Sequence, residues 1–190
     1  MAILPIVTYD DDVLREKAEP VEELTEDIET LIEDMFETMY NSDGVGLAAP
    51  QIGRLLRIFV VDADPMSKEE DNDPLYGPIA MINPEITFRS DDEVDMEEGC
   101  LSIPGVNASV TRPESIRVSY RDEEFEKQEL EVDGWLARVI QHEKDHLDGI
   151  LFLDHLSMFK RKLLSGKLKD IAEGRKETAY PLVPKKATSK

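Results

Sequence analysis

Between residues 24 and 40 the chain reads LTEDIETLIEDMFETMY, and Leu24, Ile28, Leu31, Ile32, Met35, Phe36 and Met39 recur at steps of three and four. That spacing predicts an amphipathic helix that packs by one stripe. The pattern breaks at GVGLAAPQIG, residues 44–53, whose glycines and Pro50 oppose helix, so it reads as a loop or short edge segment of unusual apolar content. Strand-like runs follow at 56–63, 79–88, 106–112, 115–121 and 126–134, and the middle of the chain is expected to be β. The polar stretch 64–78, with Pro65, Pro74 and Pro78, reads as a mobile surface insertion. Helical spacing returns over WLARVIQHEKDHL, residues 135–147, with Asp133 placed to cap the start and Gly149 to close the end. Residues 157–169 suggest a last helix despite Gly166, followed by a polar tail, and no internal repeat is present.

Composition narrows the class. The 190 residues suit one ordinary domain with a tail, and 41% hydrophobic residues supply a real core, which excludes disorder throughout. A net charge of −20 disfavours generic attraction to nucleic acid or anionic membrane. The tail departs from that balance: residues 160–190 carry ten Lys/Arg against three acids, +7, leaving −27 on the preceding part. The first twenty residues lack the basic start and long apolar run of a signal peptide, and no stretch approaches a membrane span. The single cysteine, Cys100, cannot form an internal disulfide, which points to a reducing cytoplasm and leaves it as core residue, ligand or reactive thiol.

The chemistry concentrates in the second helix. His142, Glu143, Lys144, Asp145 and His146 spell HExxH, placing two imidazoles one turn apart where they can share a metal ion, with Glu143 beside them. Trp135, Val139, His142 and His146 continue one face, so the imidazoles should point inward, where a metal would compensate their burial. The bland alternative is a pair of satisfied polar residues in a five-residue coincidence. His155, beyond the helix stop, matches no ligand spacing. A catalytic metal needs a third protein ligand. The longer HExxHxxGxxH pattern fails because Phe152 stands where its last His belongs, and Glu173 and Glu177 lie in a basic tail. The third ligand is therefore sought upstream, where Cys100 sits in EEGCLSIPG at residues 97–105. A lone Cys is otherwise most often a small buried hydrophobe.

Three segments together, GVGLAAPQ at 44–51, EGCLSIPG at 98–105 and QHEKDHLDG at 141–149, resemble the peptide deformylases, over roughly residues 4–160. The resemblance implies an α+β fold with short antiparallel sheets around a central HExxH helix, followed by a C-terminal helix and tail. It divides the chain into a catalytic metallohydrolase domain, 1–160, and a basic helix and tail, 161–190. It implies metal-dependent removal of the formyl group from formyl-methionyl nascent polypeptides, releasing formate in the cytoplasm.

Roles follow from the same resemblance. Cys100, His142 and His146 would hold one divalent metal, Fe²⁺ being the usual physiological ion and Zn²⁺, Ni²⁺ or Co²⁺ able to substitute. Glu143 would be the acid/base, and the Gln51 side-chain amide with the Leu101 backbone N–H would stabilise the oxyanion. Val45, Gly46 and Gly99 would pair with the peptide, glycines 44 and 46 allowing its approach, and Val45, Trp135, Arg138 and Val139 would line the methionine pocket. Arg138 departs from an apolar lining, its stem expected to pack while its guanidinium reaches solvent. Asn107 stands where some relatives carry arginine, and Arg112 is expected to pair with Glu98 or Asp43, or to serve the surface. The basic tail suggests contact with ribosomal RNA. Two other readings stay open at this point: a zinc endopeptidase, and a metal-binding scaffold without catalysis.

Overall fold

The stripe over 24–40 does form a helix, begun by the Thr25 hydroxyl, which accepts from the Ile28 N–H at 3.4 Å. In this computed structural model, which describes residues 2–66 and 74–185, the elements in chain order are β1 (Ile6–Val7), α1 (Glu26–Asn41), β2 (Gly46–Ala48), β3 (Ile58–Val61), β4 (Ile79–Arg89), β5 (Glu93–Glu98), β6 (Ala108–Pro113), β7 (Ile116–Arg121), β8 (Lys127–Val132), α2 (Gly134–Leu147), α3 (Met158–Ala172) and β9 (Leu182–Val183). Residues 67–73, within the stretch read as a mobile insertion, lie outside the described residues.

A five-stranded antiparallel sheet runs β2-β3-β4-β7-β8, and β5 and β6 form a separate hairpin. Strands β1 and β9 pair in parallel. Strand β3 explains how the layers assemble. All four of its residues are buried, with Phe59 and Val61 packed in one apolar cluster with Ala137 and Ile140 of α2, and Ile58 and Val60 in another with Ile32, Met35 and Met39 of α1. A strand apolar at every position is what two covered faces require.

Helix α2 is consequently central. Eleven of its fourteen residues are buried, too many for a helix that merely rests on a surface. Asp133 occupies its N-cap position, yet its side chain makes no capping bond; the carboxylate cap expected from sequence is absent. The other end is fixed by Arg57, whose guanidinium donates to the Leu147 carbonyl at 3.4 Å and to Asp148 at 3.0 Å. Gly149, at φ 73°, then turns the chain against the Arg15 carbonyl, where a Cβ would lie only 2.6 Å away.

A third apolar cluster gathers Ile103, Val106 and Val110 with Phe152, Leu153 and Ile171. It anchors α3, begun by Ser157, whose hydroxyl accepts from the Lys160 N–H at 3.2 Å. The chain after α3 is more than a polar tail. It returns across the body as β9, and Tyr180 and Leu182 pack against the cluster that holds α1. Among the described residues no helix is long and apolar enough to cross a membrane.

Candidate active site

Helix α2 presents His142 and His146 one turn apart, both buried, with rings 5.1 Å apart in an edge-on arrangement. The loop after β5 delivers Cys100, whose sulfur lies 3.4 Å from His146 Nε2. Cys100, His142 and His146 each offer a ligand atom, and these lie within 4.8 Å of one another. Two imidazoles and a thiol form a donor set that suits a first-row divalent ion, and the spacing fits one. Phe152, which stands in the sequence where the longer motif has its last His, stacks on His142, centroids 6.0 Å apart.

The orientation of His142 is set by a buried carboxylate. Glu98 Oε2 meets His142 Nδ1 at 2.9 Å, which leaves Nε2 for the site. Glu98 also accepts from Arg112 Nε at 2.6 Å and Nη2 at 3.0 Å, and from Arg138 Nη1 at 2.8 Å. Burial opposes its charge, but the hydrogen bonds with His142 and Arg112 outweigh that and hold the carboxyl well below the usual range. Arg112 continues the chain to Asp145 at 2.7 Å, and Asp145 to His155 at 2.8 Å. His155 is thus the outer end of a charge network.

Two sequence expectations are corrected by this network. Arg138 does not send its guanidinium to solvent; the side chain is 3% exposed and donates to Glu98 and to the Val110 and Val94 carbonyls, at 2.9 and 2.6 Å. Two buried guanidiniums are needed because Glu98 and Asp145 bury charge beside them. Arg112 is equally buried, so the surface role is excluded; its expected pair with Glu98 does form, and its second partner is Asp145, not Asp43.

Glu143 lies next to His142, fully enclosed, with Oε2 lacking any hydrogen-bond partner among the described residues. Burial pushes its carboxyl up to about 7, suiting a group that must both take and give a proton near neutrality. Gly46 on β2 approaches Glu143 so closely that a Cβ there would collide with the carboxylate, and at Gly44 a Cβ would lie 2.8 Å from Leu101 Cδ1. Both glycines therefore have a packing reason of their own.

Gln51 stands on a short 3-10 turn after β2. Its Oε1 accepts from the Ala48 N–H at 2.8 Å, which turns Nε2 toward Cys100 Sγ at 3.5 Å and Ser102 Oγ at 3.4 Å. A cleft of about 600 Å³ opens over these groups. Val45, Gly46, Gly99, Leu101, Trp135, Arg138 and Val139 all line it, as does Asn107 at the rim. Strand β2 forms the edge of its sheet, beside that cleft.

Two contributors were not named from sequence, and a third, Glu98, was expected only as a partner of Arg112. Glu98 stands inside a motif, and a buried histidine's need for a carboxylate partner was the signal available. Met66 lines the cleft without a sequence cue. Tyr180, from the far end of the chain, lines it too, and its hydroxyl donates to the Leu101 carbonyl at 2.7 Å.

Comparison with known proteins agrees with this arrangement. Residues 3–162 match the family described as polypeptide deformylase. The chain is 54% identical over 186 residues to a peptide deformylase of Salinibacter ruber, covering 96% of this chain and 95% of that one. It is 49% identical over 185 residues to one of Chlorobium limicola, covering 95% of each. Among solved structures, the peptide deformylase of Ehrlichia chaffeensis in complex with actinonin superposes with a TM-score of 0.83 at 40% identity, covering 93% of this chain and all of that one. A buried HExxH helix, a cysteine within reach of both histidines, and these likenesses over nearly the whole length lead to one conclusion: the chain belongs to the polypeptide deformylase family, metal-dependent hydrolases that remove the formyl group from new polypeptides.

Proposed function

We propose that Cys100, His142 and His146 hold the metal, that Glu143 is the acid/base, and that Gln51 and the Leu101 N–H receive the oxyanion of formyl hydrolysis. The carrying observation is the approach of three ligand atoms to within 4.8 Å beside a carboxyl whose burial raises it to about 7. A divalent ion bound there supplies Lewis acidity toward water and the formyl oxygen. Fe²⁺ is the proposed physiological ion, with Zn²⁺, Ni²⁺ or Co²⁺ as substitutes.

In this reading Glu143 takes a proton from the attacking water as the new C–O bond forms, and the carbonyl oxygen becomes negative. Gln51 Nε2 is aimed by its own carbonyl's bond to Ala48, so it meets that charge without reorganising. The C–N bond then breaks, the amine takes the proton from Glu143, and formate leaves. The formyl-methionyl chain adds as a strand along Val45, Gly46 and Gly99, supported by the edge position of β2. Its methionine side chain occupies the wall formed by Val45, Trp135, Val139 and the aliphatic stem of Arg138.

The enzyme works on nascent chains in the cytoplasm, and the basic residues of 160–190 guide it to the ribosome. Formate release from a formyl-Met peptide, set beside the unformylated peptide and measured with metal content under anaerobic handling, tests the assignment. Cleavage of internal bonds alone would overturn it.

A further inference from the structure

The turn that carries Leu101 is closed by the Ile103 N–H on the Cys100 carbonyl at 2.9 Å, with Leu101 and Ser102 as its central residues. In such a turn the central peptide is the one able to flip, since neither of its ends is used in the closing bond. Here both sides of the turn are tied down from distant parts of the chain. The Tyr9 N–H donates to the Ser102 carbonyl at 3.0 Å, and the Tyr180 hydroxyl donates to the Leu101 carbonyl at 2.7 Å.

Tyr180 is itself held. The Thr178 hydroxyl donates to its carbonyl at 2.7 Å, the Ile6 N–H donates to the Pro181 carbonyl at 2.9 Å, and β9 pairs with β1 immediately beyond. Its ring packs with Leu101 in one apolar cluster and lines the cleft. We propose that Tyr180 is a positioning residue for deformylation: its hydroxyl locks the Cys100–Ile103 turn in the one orientation that aims the Leu101 N–H at the developing oxyanion.

The inference rests on the proposed oxyanion role of Leu101. The Leu101 N–H lies on the neighbouring Cys100–Leu101 peptide, whose carbonyl makes the closing bond, so a central peptide freed from Tyr180 slackens that turn and, through the shared Leu101 Cα, the aim of the N–H. An oxyanion donor acts through fixed aim, and the loss falls on the transition state more than on the ground state. Ser102 rides on the same turn, so the contact of its hydroxyl with Gln51 Nε2 loosens as well.

The test uses metal-replete, full-length enzyme on a short formyl-Met peptide. Tyr180→Phe deletes one oxygen and keeps the ring. It should lower kcat by about 3- to 10-fold, with KM within about twofold of wild type and metal content unchanged. Tyr9→Phe is the control, because the Tyr9 hydroxyl donates to the Leu168 carbonyl at 3.2 Å and so tethers α3 without touching the Leu101 carbonyl. It should keep wild-type kcat. Wild-type kcat in Tyr180→Phe, or equal losses in both variants, would overturn the inference. Replacing Leu101 by its α-hydroxy analogue, which deletes the N–H, separates the two levels. If that ester form keeps full kcat, the oxyanion reading fails and takes the inference with it. If the ester form is impaired while Tyr180→Phe is not, the inference alone fails.

Discussion

Replacing Glu98 by Gln keeps the shape of the buried carboxylate and removes its charge. Gln offers one acceptor oxygen, so at most the contacts made by one carboxylate oxygen survive, and the amide NH₂ must face other donors. With the amide oxygen toward the arginines and the NH₂ toward His142, Arg112 keeps Asp145 at 2.7 Å, but Arg138 is left with neutral acceptors alone, the amide oxygen and the Val94 and Val110 carbonyls, and loses its anion. Breaking a buried pair typically costs about 3–5 kcal/mol. Because one of the two arginines stays paired, we expect about 3 kcal/mol, equivalent to about 6–12 °C in Tm for a chain of this size. His142 Nδ1 also loses its acceptor, and the affinity for metal should fall by about 10- to 100-fold.

Urea unfolding at matched metal content measures the first effect and chelator competition the second. The sign of the pH dependence is fixed by the depressed carboxyl. Its contribution is complete above the ordinary value of 4.5 and is lost as pH falls toward the lower folded value. The stability gap between wild type and Glu98→Gln should therefore narrow below pH 4.5. A change under about 1 kcal/mol, with metal affinity intact, would refute the view that this network holds the site.

Cys100→Ala and His146→Ala should each lose metal and turnover together, whereas Glu143→Ala should keep the metal and lose about 10²- to 10⁴-fold in kcat; parallel metal analysis and kinetics decide. In air, an Fe²⁺ form should inactivate faster than a Ni²⁺ form through oxidation of the ion or of the Cys100 thiolate, and equal lifetimes would count against a thiolate-bound iron. Reversing the exposed charges Lys160, Arg161 and Lys162 to Glu should weaken ribosome co-sedimentation at low salt while leaving kcat/KM on a short peptide unchanged. Charge reversal is preferable to truncation after Met158, which would also remove Ile171, Tyr180 and β9 from the packed body.

The elements legible in sequence were those whose burial is periodic or, for a strand covered on both faces, continuous. Helix α1 follows from its stripe, α2 from Leu136, Val139, Ile140 and Leu147, and β3 from four successive apolar residues. Strand β5 escaped notice because Glu93, Asp95 and Glu97 face outward around Val94 and Met96, and its most buried residue is the charged Glu98. That alternation is present in EVDMEE, but acid at the buried end hides it. Strands β1 and β9 are two residues each, and nothing local marks a pair whose partners lie at opposite ends of the chain. The metal-site candidates were readable because helical spacing fixes where two histidines point. The direction of Arg138 was not, since it depends on Glu98, a partner forty residues away that only the fold brings near.

The β1–β9 pair has a consequence for how the molecule is made. Ile6 pairs with Leu182, so β1 waits until the segment on the far side of α3 has been made. Contacts this distant along the chain carry a loop-closure cost before they return anything, and they form late. During translation the helices and the five-stranded sheet can assemble as they emerge, while the wall of the cleft that contains Tyr180 must stay open until the C-terminal segment clears the ribosome. An enzyme that acts on nascent chains is thus built to finish the wall of its own cleft only after α3 and the segment beyond it have emerged.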